Sequence, residues 1–142
     1  MSAADRGGAL SVDASGCVVL DRQRCFEYLS AGGLGRVAVN VGALPAILPV
    51  HFTMDEERVV FSVGAGTVLH RATRDAVVAF ESDGVETDGR RQWSVTVTGI
   101  ARHVTDNDIP GRSAIVAAGW ARREALTMVA VSTEYVSGRR TV

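Results

Sequence analysis

The side chains best suited to metal or acid–base chemistry in this chain are three histidines, His51, His70 and His103. They fall on three different predicted elements, with neither HExxH spacing nor neighbouring cysteines to complete a tetrahedral zinc site, so no metal is expected. Cys17 and Cys25 lack the CxxC spacing of a redox or metal pair. A GxSxG nucleophile motif is missing, and the carboxylates are scattered over turns, which leaves acyl transfer and paired-carboxylate hydrolysis without support. All 15 basic residues are arginine. The absence of lysine excludes a Schiff-base lysine, a Walker-type phosphate lysine and a Ser-Lys dyad.

One junction retains chemical interest. Phe61-Ser62-Val63-Gly64-Ala65-Gly66-Thr67-Val68-Leu69 reads as strand, glycine turn and helix start. Such a junction can aim free N–H groups at an anion, although an ordinary glycine-rich connection reads the same way. No GxGxxG links a strand to a helix, and the βαβ alternation of a dinucleotide-binding fold is missing.

These residues need elements to position them. The 142 residues suit one domain, expected over 21–142 behind a mobile N-terminal arm at 1–20 that is rich in Ala, Gly, Ser and Asp. Asp21 can cap a short helix carrying Cys25, Phe26, Tyr28 and Leu29 on one side, ended by Gly32-Gly33. Period-two patterns then predict strands from Gly35, over Ala46 to Met54 and over Arg58 to Val63, forming an antiparallel meander. A short helix from Thr67 to about Arg74 follows, then a strand over Val77 to Glu81, an exposed polar loop over Ser82 to Arg91 and a long strand over Trp93 to Val104. A helix through Val116 to Ala118 is expected after Pro110, and strands over Leu126 to Ser132 and Val136 to Arg140 complete the chain. Six or seven short strands with small connecting helices imply a mainly β fold closed as a barrel or sandwich.

With 15 basic against 16 acidic residues, and Arg-Arg doublets rather than a basic tract, nucleic acid is not an expected partner. No apolar run of about 20 residues suggests a membrane span. A reduced, cytoplasmic setting is expected from the cysteine usage.

In order and spacing, six short pieces resemble the pyridoxamine 5′-phosphate oxidase-like, FMN-binding split-barrel family, particularly its small actinobacterial branch related to flavin reductases and nitroreductases. They are Gly35-Arg36-Val37-Ala38-Val39, Pro45 through Pro49-Val50-His51-Phe52, Val60-Phe61 to Gly66-Thr67, Val78-Ala79-Phe80-Glu81, Trp93 to Gly99, and Val136 to Arg140. The resemblance implies a six-stranded antiparallel split β-barrel that forms a homodimer with flavin sites at the interface. It places Pro49, Val50, His51 and Phe52 along the isoalloxazine ring, and Ser62, Val63, Gly66, Thr67 and Val68 around the ribityl phosphate. Trp93 and Ser94 would approach from the strand after the long loop. For Trp93, packing in the barrel or dimer core is the alternative role.

The chain departs from the family at the phosphate. Where the family commonly has Arg-Thr and Lys, this sequence has Ser62-Val63 and Val68, leaving Ser62, Thr67, backbone N–H groups and Arg71 or Arg74 for the anion. Genome-wide preference for arginine would have turned that lysine into arginine, so the neutral residues imply an altered FMN site. The activity implied is a flavin-dependent oxidoreductase. A deazaflavin in a groove of Arg36, Arg71, Arg74 and Arg90-Arg91 is one alternative. A cofactor-free or haem-type binding protein, with His51 as axial ligand, is the other.

Overall fold

The computed structural model describes residues 11–105 and 126–142. The helix expected at 110–118 lies outside them. The elements run β1 (Val18–Leu20), α1 (Arg22–Leu29), β2 (Gly33–Val41), β3 (Leu44–Asp55), β4 (Arg58–Gly64), α2 (Val68–Ala72), β5 (Ala76–Val85), β6 (Gln92–Val104), β7 (Leu126–Val131) and β8 (Tyr135–Arg140). All strand pairings between these elements are antiparallel, in the order β1-β8-β6-β5-β2-β3-β4-β7, and an additional β6–β7 pairing closes six of the strands into a barrel. The split barrel is therefore present, with β8 and β1 added on the flank of β6.

Closure depends on the length of β6. Over Trp93–Thr98 it pairs with β8, and over Ala101–Val104 with β7, while β5 follows its other edge from Gln92 to Ala101. One strand thus belongs to the barrel and to its extension. Its alternation puts Val95, Val97 and Ala101 inside, where they meet Val37, Val39, Val50, Phe52, Val59, Phe61, Val63, Val78 and Phe80. Phe52 and Phe80 meet edge to face with ring centroids 4.8 Å apart, a favoured aromatic geometry.

At one barrel flank α1 is fixed by its cap, since the Asp21 carboxylate accepts from the Arg24 N–H at 2.8 Å. Its Cys25 and Leu29 are buried, and Gly138 of β8 leaves the space that Cys25 occupies, because a Cβ there would lie 2.6 Å from the sulfur. Burial pushes the Cys25 thiol up to about 11, which makes it a packing residue and not a nucleophile.

The stretch expected as a polar loop over Ser82–Arg91 folds differently. β5 continues to Val85 and pairs with β6 as far as Gln92, so the connection shrinks to residues 86–91. Polarity concealed the alternation: Ser82 is buried, with its hydroxyl donating to the Leu34 carbonyl at 2.9 Å, while Glu81 and Asp83 face out toward Arg36.

Candidate functional site

The alternation of β3 and β4 sorts the predicted site residues. Val50, Phe52 and Val63 turn into the barrel and are buried, so only their backbone can meet a ligand. Pro49, His51 and Ser62 fall on the outer face. The β3–β4 ladder ends at Phe52–Phe61, which brings His51 and Ser62 to the next position on adjacent strands.

Beyond Ser62 the chain turns at Gly64-Ala65-Gly66, where Gly66 holds φ at +79°, a region that side-chain-bearing residues avoid. Thr67 caps α2: its hydroxyl donates to the Gly64 carbonyl at 2.7 Å and accepts from the His70 N–H at 3.1 Å. The single hydroxyl proton is thereby committed inside the turn. Val68 opens α2 with its side chain partly exposed. Arg71 folds back, Nη1 donating to the Gly66 carbonyl at 2.9 Å, which sets a guanidinium against the glycine turn. His51 thus lies beside Ser62, and Ser62, Gly66, Thr67, Val68 and Arg71 follow one another along one strand–turn–helix segment.

Trp93 and Ser94 belong to a different part of the subunit. On β6 they pair with Arg140 and Arg139 of β8 and with Gly84 and Asp83 of β5, and in the barrel β5 and β2 separate β6 from β3. Trp93 stacks on Tyr28 of α1 at 5.0 Å, and the Tyr28 hydroxyl donates to Glu86, anchoring α1 to the β5–β6 connection. Both residues line a groove of about 600 Å³. A single subunit thus divides the predicted residues into two groups.

Two features escaped the sequence. On the outer face of β2 and β5, Arg36 pairs with Glu81 at 3.0 Å and with Asp83 at 3.4 Å beside a cavity of about 270 Å³. Burial, then the adjacent Asp83, raises the Glu81 carboxyl above its ordinary range. Alternating charges on paired strands are the signal, visible only once β5 and β2 are known to be neighbours. The second feature is a histidine pair: His70 and His103 stack with centroids 4.7 Å apart. Thr73 donates its proton to the Leu69 carbonyl at 2.7 Å, so at 3.2 Å it is His103 Nε2 that donates to Thr73.

Burial, then the charge of His70, holds His103 below its usual value. The unfolded chain binds the proton more tightly, so His103 contributes stability above the unfolded value and loses it as pH falls toward the folded one. Urea unfolding from pH 7 to pH 5 should show a steeper loss for wild type than for His103→Gln. Parallel curves would remove the pair as the cause.

Among the described residues, no helix is long and apolar enough to cross a membrane. No group of three or more potential metal ligands occurs among them either. The sequence is 35% identical over 130 residues to the uncharacterized protein Rv0080 of Mycobacterium tuberculosis, covering 88% of this chain and 86% of that one. In structure it is similar to an FAD-binding protein of Mycobacterium smegmatis, with 27% identity, a TM-score of 0.68 and coverage of 89% and 99% of the two chains. An FAD-binding protein of Mesorhizobium loti shares the fold at 20% identity and a TM-score of 0.68, with the same coverage of 89% and 99%. The sequence profile of pyridoxamine 5′-phosphate oxidase matches residues 21–140. Profile and barrel topology agree, and the chain belongs to the pyridoxamine 5′-phosphate oxidase family.

Proposed function

We propose that the protein binds a flavin on the β3–β4–α2 surface and serves as a flavin-dependent oxidoreductase. The observation that carries this reading is Arg71, whose guanidinium is held against the Gly66 turn next to Thr67. With Ser62 and Val68 neutral, that cation supplies the charge for a flavin phosphate, and Nη1 is the only one of its nitrogens held by the turn. The residues present therefore fit the group. Ser62 and backbone N–H groups add donors, whereas Thr67 shapes the turn because its proton is already used. Pro49 and His51 offer the outer surface of β3 to the ring, and the backbone of Val50 and Phe52 can reach it.

When bound, a flavin supplies hydride and electron transfer, while the protein orients it and excludes water. The FAD-binding protein of M. smegmatis supports a flavin in general; FMN is the form that the family resemblance suggested. The test is direct. Purified protein is examined for a flavin absorbance band and titrated with FMN, FAD and a deazaflavin by fluorescence quenching. Saturable quenching by a flavin is expected. Arg71→Ala should weaken it by about tenfold to a hundredfold, the value of a hydrogen bond to a charged group, about 1.5–3 kcal/mol. No quenching at high micromolar flavin would end the flavin reading, and unchanged affinity in the variant would remove Arg71 from the site.

The subunit is proposed to act as a homodimer. Ile47 on β3 is 71% exposed and Leu34 on β2 is 46% exposed, apolar surface that a second copy would cover. Light scattering should give twice the 15.0 kDa chain mass, and a monomer at all concentrations would refute this.

A further inference from the structure

The groove of about 600 Å³ beside β6 and β8 contains a cation that the flavin reading does not use. Arg140 lines it, yet is only 8% exposed. Its backbone is fixed by pairing with Trp93 on one side and Val18 on the other, so the side chain is presented by two strands and not by a loose tail. Nη1 donates to the Thr141 carbonyl at 3.3 Å, a long bond, and Nε has no partner. Among the described residues that Nε is the only buried side-chain polar atom left without one, and no described carboxylate forms an ion pair with Arg140.

An arginine cannot shed its charge when buried, as lysine or histidine can. A guanidinium that lines a groove, with one long bond and no carboxylate beside it, is therefore arranged for an anion that arrives from outside. Its planar fork matches the two oxygens of a carboxylate or phosphate. The remaining wall suits such a ligand. Arg139, more exposed, is paired with Asp13 at 3.8 Å, Ser94 and Gln92 offer donors, and Trp93 gives an apolar surface. The one carboxylate on the wall, Asp83, is engaged by Arg36 at 3.4 Å. The volume lies in the range of small-molecule sites, about 300–1,000 Å³.

We propose that this groove is a binding site for a small oxyanion, a carboxylate or phosphate compound held by Arg140. Trp93 and Ser94 also stand among the residues expected near a flavin, but the proposal does not rest on flavin binding, and its test contains no flavin.

The full-length protein is titrated calorimetrically at low ionic strength with benzoate and, separately, with inorganic phosphate. Saturable binding of at least one is expected, the stronger of the two showing whether carboxylate or phosphate is preferred. Arg140→Gln should weaken it by about tenfold or more, the loss of a charge-assisted pair. Should Arg140→Gln fail to fold, Gln92→Glu decides: this exposed position keeps Arg140 intact, sets a negative charge on the groove wall and should weaken binding in the same direction. Failure of both anions to bind, or wild-type affinity in Arg140→Gln (in Gln92→Glu if the first variant does not fold), overturns the proposal.

Discussion

Gly99→Ala should destabilise the protein by about 3 kcal/mol or more, a large share of the roughly 5–15 kcal/mol by which a domain of this kind is stable. A Cβ built at Gly99 would lie 1.8 Å from the Ser132 carbonyl oxygen and 2.7 Å from its carbon. These are backbone atoms, so no side-chain rotation relieves the contact. The location makes separation of the strands costly too. Gly99 sits where β6 ends its pairing with β8 at Thr98 and begins its pairing with β7 at Ala101. Two bonds fasten that point, Ser132 N–H to the Ile100 carbonyl at 3.1 Å and Ile100 N–H to the Ser132 hydroxyl at 2.9 Å. Moving Ser132 away therefore loosens the closure of the barrel. Urea denaturation of Gly99→Ala beside Thr96→Ala checks this, since Thr96 is not buried in the core and its truncation should cost about 0.5 kcal/mol or less. Equal midpoints for the two variants would show that the barrel accommodates the methyl group.

Val68→Lys should strengthen flavin binding by about tenfold to a hundredfold, by adding one charge-assisted contact worth about 1.5–3 kcal/mol. Val68 is the first residue of α2, 41% exposed, and follows the turn on which Arg71 rests. Its substitution displaces nothing from the core, because the inward residue of this helix is Leu69. Fluorescence titration of wild type and variant with FMN and FAD measures the change, and pairing Val68→Lys with Arg71→Ala tells whether the two cations serve the same phosphate. Compensation of one by the other is expected. If Val68→Lys left affinity unchanged while Arg71→Ala lowered it, the phosphate would lie on the Arg71 side of the turn, away from α2's first residue.

The strands were largely legible because their inward residues recur at period two, while closure as a split barrel came from the resemblance to the family. Val37 and Val39 of β2, Val59, Phe61 and Val63 of β4 and Val95 and Val97 of β6 follow period two and are all buried. The end of β5 was not legible: Glu81, Ser82, Asp83 and Gly84 have loop composition, and their alternation becomes meaningful only against β2 and β6. β1 was concealed for a related reason, since three residues, Val18–Leu20, give too short a pattern until β8 is available as a partner. Of the candidate site, the strand–turn–helix junction was readable from its glycines and Thr67. The return of Arg71 to Gly66 was not, because a side chain five positions along reaches back only in one particular helix start.

The sequence by itself determined a mainly β domain and a chemistry without lysine, since these follow from side-chain type and period, which are local properties, and the resemblance of six short pieces pointed to the family. Which cations stand where was decided by the tertiary structure alone. Arg36 joins two carboxylates, Arg71 returns to its own turn, and Arg140 is buried in a groove with an unpartnered Nε. In the sequence these are three of 15 arginines. Strand pairing separates them, because a charge acquires its role from the groups that long-range packing brings within hydrogen-bond distance.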